Sequence, residues 1–469
     1  MEINLTFKLI RVGLSLRTFF LRKSFEKSCQ NPKGAQKKVL KKILKLSGDK
    51  KLPLQVSKYS DYPEGRSWSV EKENFFETTS GSSGVKKEIP YTPSLIKTFE
   101  NMFLLWSGDL LREKKLKTGR IFISFSPQLS KLGLQSDSEY LSPFMQLLLN
   151  RFLSVKPQSF RAECGKAFLE NLALQLAQDK SLEIISIWSP TYLLSLLECL
   201  QQADLSFNSE LQKAVQEKNW QAIWPQLKLI SCWADGASAS AYKQLKKQFD
   251  FVQFQPKGLL ATESPMTIPW VKADHRCIPL WNEVYFEYIN QTGLIKPLYD
   301  MKKGETGEIL ISTKGGLLRY ALGDMIRCDG YFEKSPSIKF LQRKGEVSDL
   351  VGEKLDLQIL QKIWGHSQMG YWTLIANQDH YVFVSDQNIS EEVIEENLNQ
   401  VFHFSLAREL NQLKPTRSIF VPQLKDYYFQ YCQERGMKTG DIKDRCLWSQ
   451  PEFLIYLENR VKLQPFFLN

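Results

Sequence analysis

Apolar residues along the chain fall into runs of two distinct periods. Leu95, Ile96, Phe99, Met102, Phe103 and Leu104 recur at three- and four-residue spacing, which predicts a helix over 93–111. Residues 182–188 form an almost unbroken apolar run of strand length. Ser189-Pro190 then opens a helix over 191–202, with proline in the first turn, where its missing N–H leaves no helical bond unmade. The pattern returns with a strand over 227–233, a helix over 237–249 and a strand over 251–254 that runs into residues 258–263. Such alternation predicts a parallel sheet with ligand-binding loops at its strand ends. From Val284 the character changes to short β-type runs at 284–289, 307–313 and 317–327, separated by glycine turns, which predicts an antiparallel subdomain. The expected fold class is α/β: a large N-terminal α/β domain with parallel-type sheets and a β-rich subdomain, plus a smaller C-terminal α+β domain. The boundaries expected are 1–50, a basic amphipathic segment packed on the main domain; 51–343, the large domain; and 344–469, a small mobile domain.

Composition adds a sizeable core, since 43% of the 469 residues are hydrophobic and 12% aromatic. No apolar run reaches bilayer length: the longest, 184–197, is broken by Pro190. The eight cysteines are scattered without a Cys-x-x-Cys pair, and the four histidines form no closely spaced ligand set. Reduced thiols in a cytoplasmic protein are the simplest expectation, and histidine-based hydrolysis is disfavoured. Charge is unevenly placed. Residues 1–50 hold thirteen lysines and arginines against three acidic residues, so ten of the net +11 charges sit there. Lys37, Lys38, Lys41, Lys42 and Lys45 alternate with Val39, Leu40, Ile43, Leu44 and Leu46 as a basic amphipathic helix would. The segment is expected to expose a solvated face, with peripheral membrane contact as a further use of residues 1–50. No nucleic acid is expected, because no nucleic-acid motif accompanies the charge.

The residues with chemical potential begin with Thr79-Ser80-Gly81-Ser82-Ser83-Gly84-Val85-Lys86-Lys87. Small residues with hydroxyls let backbone N–H and side-chain O–H groups surround phosphate oxygens, and the lysines add point charge. The spacing is not that of a Walker A loop. With Ile89-Pro90-Tyr91-Thr92 after it, this loop resembles the phosphate loop of the adenylate-forming superfamily, which holds acyl-CoA ligases, peptide-synthetase adenylation domains and luciferases. In wording it is most similar to the auxin-responsive-promoter family of acyl-acid amido synthetases, as a bacterial-type member.

Three further motifs follow in the order the resemblance requires. Ala261-Thr262-Glu263 is similar to the family's adenine-side loop, which implies that Ala261 and Thr262 lie beside the nucleotide and that Glu263 holds magnesium. The segment 316–324 resembles Tyr-Arg-Tyr-x-x-Gly-Asp, with Leu318 in place of an aromatic residue, and implies that Asp324 accepts from the ribose hydroxyls. Residues 341–345 with 349–355 look like the interdomain hinge, with Gln342 where glycine is commoner; Arg343 would then sit near the ribose and Lys354 would reach the nucleotide. A late loop, 436–443, is similar to a Gly/Lys loop of bacterial members, in which Lys438 or Lys443 would swing into the active site. The resemblance implies ATP and Mg2+ as cofactors, and a two-step reaction. A carboxylic acid attacks the α-phosphorus to give acyl-AMP, and an amine, such as an amino acid, displaces AMP to give an amide. A thiol acceptor giving a thioester, or a nucleotide-binding protein without catalysis, are the alternatives.

Overall fold

The computed structural model describes residues 2–79, 87–113, 116–124, 150–156, 165–344, 347–348, 350–351, 353, 355–364, 370–437 and 442–461. They divide into two compact units, one of residues 1–235 with 241–340, the other of 236–240 with 341–469.

The first unit opens with two helices, α1 (Glu2–Gln30) and α2 (Pro32–Ser47). Asn31 caps α2, its side chain accepting from Gly34 N–H, and Gly48 closes it in the left-handed region. A hairpin of β1 (Phe75–Thr79) and β2 (Lys87–Tyr91) leads into α3 (Pro93–Glu113). Arg22 of α1 pairs with Asp109 of α3 at 3.5 Å, and Phe25 packs against Trp270 with ring centres 4.8 Å apart and the planes tilted by 60°. Gln36 of α2 stitches that helix to the core: its amide donates to the carbonyls of Trp281 and Val284 and accepts from Phe286 N–H.

The parallel sheet runs β3 (Ile121–Ile123), β4 (Ile184–Ser186), β5 (Leu229–Cys232), β6 (Gln253–Pro256), all neighbours parallel and in chain order. Its crossovers include the helices Pro190–Gln202 and Ala239–Gln248. Strands β3 to β5 are buried on both faces, which is why β4 and β5 read as nearly continuous apolar runs rather than alternations. Two short hairpins follow, β7 (Leu260–Ala261) with β8 (Ser264–Pro265) and β9 (Thr267–Trp270) with β10 (Arg276–Pro279). Then comes a five-stranded sheet in the order β12 (Ile295–Pro297), β11 (Tyr285–Asn290), β13 (Thr306–Ser312), β14 (Tyr320–Phe332), β15 (Ser335–Arg343). The α/β class with a parallel and an antiparallel sheet thus agrees with the sequence reading. Strand β3 and the helix Glu2–Gln30 were not foreseen: β3 has three residues, and Lys8, Arg11 and Arg17 interrupt the apolar spacing of α1.

The second unit is an α+β body. Its four-stranded sheet runs Arg417–Phe420, His380–Ser385, Trp372–Asn377, Leu447–Trp448, with the central pair antiparallel and both outer pairs parallel. Trp364 and Leu398 pack on one side, and Tyr431, Phe453 and Leu457 on the other.

Candidate functional site

Thr79 and Lys87 face each other as the last paired positions of the β1–β2 hairpin, so the strands bring together the two ends of the Ser/Gly loop. Ser80, Gly81, Ser82, Ser83 and Gly84 themselves lie outside the described residues, as do Lys354 and Lys438. From the hairpin base, Lys87 Nζ donates to Tyr320 Oη at 3.2 Å and lies 5.9 Å from the ring centres of both Tyr59 and Tyr320. Tyr59 Oη accepts from Glu88 N–H at 2.8 Å. The hairpin that carries the Ser/Gly loop is therefore tied to the start of β14, which carries the Gly-Asp motif.

A second tie runs to the Ala-Thr-Glu motif. Tyr91 closes β2, is fully buried between Phe75 and Phe99, and donates its hydroxyl to the Thr262 carbonyl at 2.8 Å. Ala261 pairs with Ser264, which makes Thr262 and Glu263 the two central residues of a tight turn, with Glu263 buried. A carboxylate at such a turn suits magnesium, which keeps waters and takes one or two protein carboxylates together with substrate phosphates. Among the described residues no group of three or more His, Cys, Asp or Glu forms a self-sufficient metal cage.

Asp324 owes its place to an irregularity in the sheet. Glu308 pairs with Met325 and Leu310 with Ala321, so one residue on β13 faces three on β14, and Leu322-Gly323-Asp324 is lifted out of the ladder. Gly323 sits at φ +81°, a conformation that costs a side chain energy, and Asp324 emerges largely buried beside it. Upstream, Ser57 and Tyr62 hold the strand: Ser57 Oγ donates to the Leu318 carbonyl at 2.6 Å, and Tyr62 Oη accepts from Leu318 N–H at 2.9 Å. Burial raises the Tyr62 phenol above its ordinary range despite its hydrogen bonds, so it remains protonated. Leu318 packs on Val39 and Ile43 of α2, which accounts for an aliphatic residue there.

At the carboxyl ends of the parallel strands stands a group the sequence reading passed over. Lys257 Nζ donates to Ser186 Oγ at 2.8 Å and lies 4.3 Å above Trp188, whose ring is 5.7 Å from that of Trp233. Trp106 Nε1 donates to Gln255 Oε1 at 2.8 Å, two positions before Lys257 in sequence. The signal available was positional: Trp188 and Trp233 end strands expected over 182–188 and 227–233, and Lys257 lies shortly after the one expected over 251–254. In the second unit, Arg343 is the last residue of β15, and the Lys443 carbonyl accepts from Tyr428 Oη at 2.5 Å.

Residues 277–343 match the GH3 family central domain. The chain is 24% identical over 295 residues to the indole-3-acetic acid-amido synthetase GH3.2 of Arabidopsis thaliana, covering 51% of this chain and 53% of that protein. It is 24% identical over 323 residues to the synthetase GH3.4 of the same plant, covering 58% and 53%. These matches span about half the length of those relatives. Among solved structures, AtGH3.15 acyl acid amido synthetase in complex with 2,4-DB superposes with a TM-score of 0.77 at 18% identity, over 93% of this chain and 95% of that one. A 2-hydroxyisobutyryl-CoA ligase in complex with 2-HIB-AMP gives 0.52 at 12% identity, over 94% and 91%. Both share the fold.

Proposed function

We propose that this chain, a relative of the GH3 acyl acid amido synthetases built on the adenylate-forming fold, activates a carboxylic acid with ATP and passes the acyl group to an amine. The observation that carries the reading is the pair of hydrogen bonds joining three motifs distant in sequence: Lys87 to Tyr320, and Tyr91 to the Thr262 carbonyl. They draw the ends of the phosphate loop, the Thr262–Glu263 turn and the strand bearing Asp324 around one locus. The 79–87 loop would receive the triphosphate, Ala261 and Thr262 would lie beside the adenine, and Asp324 would hold the ribose. Glu263 would hold Mg2+, which neutralises phosphate charge when bound.

In the first half-reaction a carboxylate oxygen bonds to the α-phosphorus and the bond to pyrophosphate breaks. In the second, an amine nitrogen bonds to the acyl carbon, gives up its proton, and AMP leaves. Neither step calls for a histidine; positioning and charge stabilisation are the means. An amine is preferred to a thiol as acceptor because the relatives in sequence are amido synthetases by name. Trp188, Trp233 and Lys257, at the strand ends leading into Glu263, would wall the acid.

The test is product analysis: purified protein with ATP, Mg2+, an acid panel and amino acids should release AMP and form an amide. Trp188→Ala should raise the KM for the acid by roughly tenfold, the scale for losing one apolar contact in a pocket, with little change for ATP. AMP release with coenzyme A but with no amine would overturn the acceptor assignment.

A further inference from the structure

The N-terminal helices are basic and only half used by the fold. One face of α1 is committed: Thr18, Arg22, Phe25 and Cys29, at helical spacing, are buried against the first unit. The opposite face carries Val12, Leu16, Phe19 and Phe20, which are 60%, 68%, 52% and 76% exposed. Val12, Leu16 and Phe20 follow at four-residue intervals and so stand in one outward row, which continues with the exposed Lys23 and Lys27. Single exposed apolar residues are ordinary, whereas a contiguous row on a folded helix marks a contact surface. On α2, Lys37, Lys38, Lys41, Lys42 and Lys45 are all exposed, while Val39 and Ile43 hold the helix to the sheet.

We propose that this apolar row, within a segment that holds ten of the chain's net +11 charges, docks the protein on an anionic lipid surface. The helix lies in the headgroup plane, Leu16, Phe19 and Phe20 enter the acyl boundary, and the lysines meet lipid phosphates. Charge selects this occupant. A second copy of the chain would bring another N-terminal segment of net charge about ten against the first. A nucleic acid would match the lysines but leave four exposed apolar side chains without a partner. Crossing the bilayer is a different matter: no helix among the described residues is long and apolar enough for that.

Flotation of the full chain with phosphatidylcholine vesicles, with and without about 30% phosphatidylglycerol, tests the inference at low salt and at about 0.5 M salt. The chain should float with the anionic vesicles only and be released by salt. Leu16→Ser with Phe20→Ser should lower binding by roughly tenfold or more at an unchanged melting temperature, because both side chains are already in water. Should that variant fold poorly, Lys23→Glu with Lys27→Glu gives the same reading through charge. Absence of flotation, or flotation unaltered in both variants, overturns the proposal. So does a wild-type dimer in gel filtration that the Leu16/Phe20 variant dissociates, which would assign the face to self-association.

Discussion

Arg319 stands close to the Gly323-Asp324 motif in sequence, yet its bonds are to the scaffold. Its guanidinium forks onto Glu287, with Nε and Nη2 each at 2.9 Å from a carboxylate oxygen, and Nη1 donates to the carbonyls of Pro53 and Leu54. The hydrogen bonds to Glu287 raise its already high pKa further. Arg319→Met leaves the buried Glu287 carboxylate unpaired and should cost about 3–5 kcal/mol in urea unfolding. Arg319→Lys keeps the charge but not the fork and should cost about 1–3 kcal/mol. A second carboxylate sets acid stability. Burial opposes the charge of Glu183, but Lys228 and the N–H groups of Lys117, Thr118 and Gly119 outweigh it and hold the group below its ordinary 4.5. A folded pKa below the unfolded one means that the stability is complete above about pH 4.5 and fades as pH falls through the lower folded value. Glu183→Gln should therefore be less stable at pH 7 and show a shallower loss below pH 4.5, read by urea midpoints across that range. The candidate chemistry was legible at this scale as residue types in short motifs. The ties of Lys87 to Tyr320 and Tyr91 to Thr262 were not, since each spans more than 150 positions and no local pattern encodes it.

Two glycines show how elements place the site. Gly258, between β6 and β7, has φ +74°, and a Cβ there would come within 2.3 Å of Thr267 Oγ1 and 2.9 Å of Cys277 Sγ. Gly323, in the β14 irregularity, has φ +81° but open space around it. Gly323→Ala should thus cost only the backbone term, about 1–2 kcal/mol, while turning Asp324 away and raising the KM for ATP. Gly258→Ala adds a clash to the same term and should lower the melting temperature much further. Equal losses in the two variants would refute this account of the turn. Strands β4 and β5 were legible because buried parallel strands are apolar on both faces. The β1–β2 hairpin was not legible in the same way: its second strand holds Lys87, Glu88 and Pro90, tolerated because the ribbon has two strands and both are edges.

For the whole molecule, two compact units meeting in sequence at 340–341 suit an enzyme that first expels pyrophosphate and then admits an acceptor. If a late-loop lysine serves only the second step, Lys443→Ala should slow amide formation by roughly tenfold or more and leave adenylation within a few-fold. Parity with wild type in both half-reactions would remove that lysine from the mechanism. The proposed acid wall was the least legible part of the chain, because Trp106, Trp188, Trp233 and Lys257 come from four separate segments. The central claim is acyl-adenylate formation at the locus of the 79–87 loop and Glu263, and acid-dependent exchange of pyrophosphate into ATP tests it most directly. The account predicts exchange that requires both Mg2+ and a carboxylic acid and that falls by roughly 10²-fold in Glu263→Gln, with nucleotide binding much less affected. Folded protein that binds ATP but supports no exchange with any acid, or a Glu263→Gln variant that exchanges as wild type does, would contradict it.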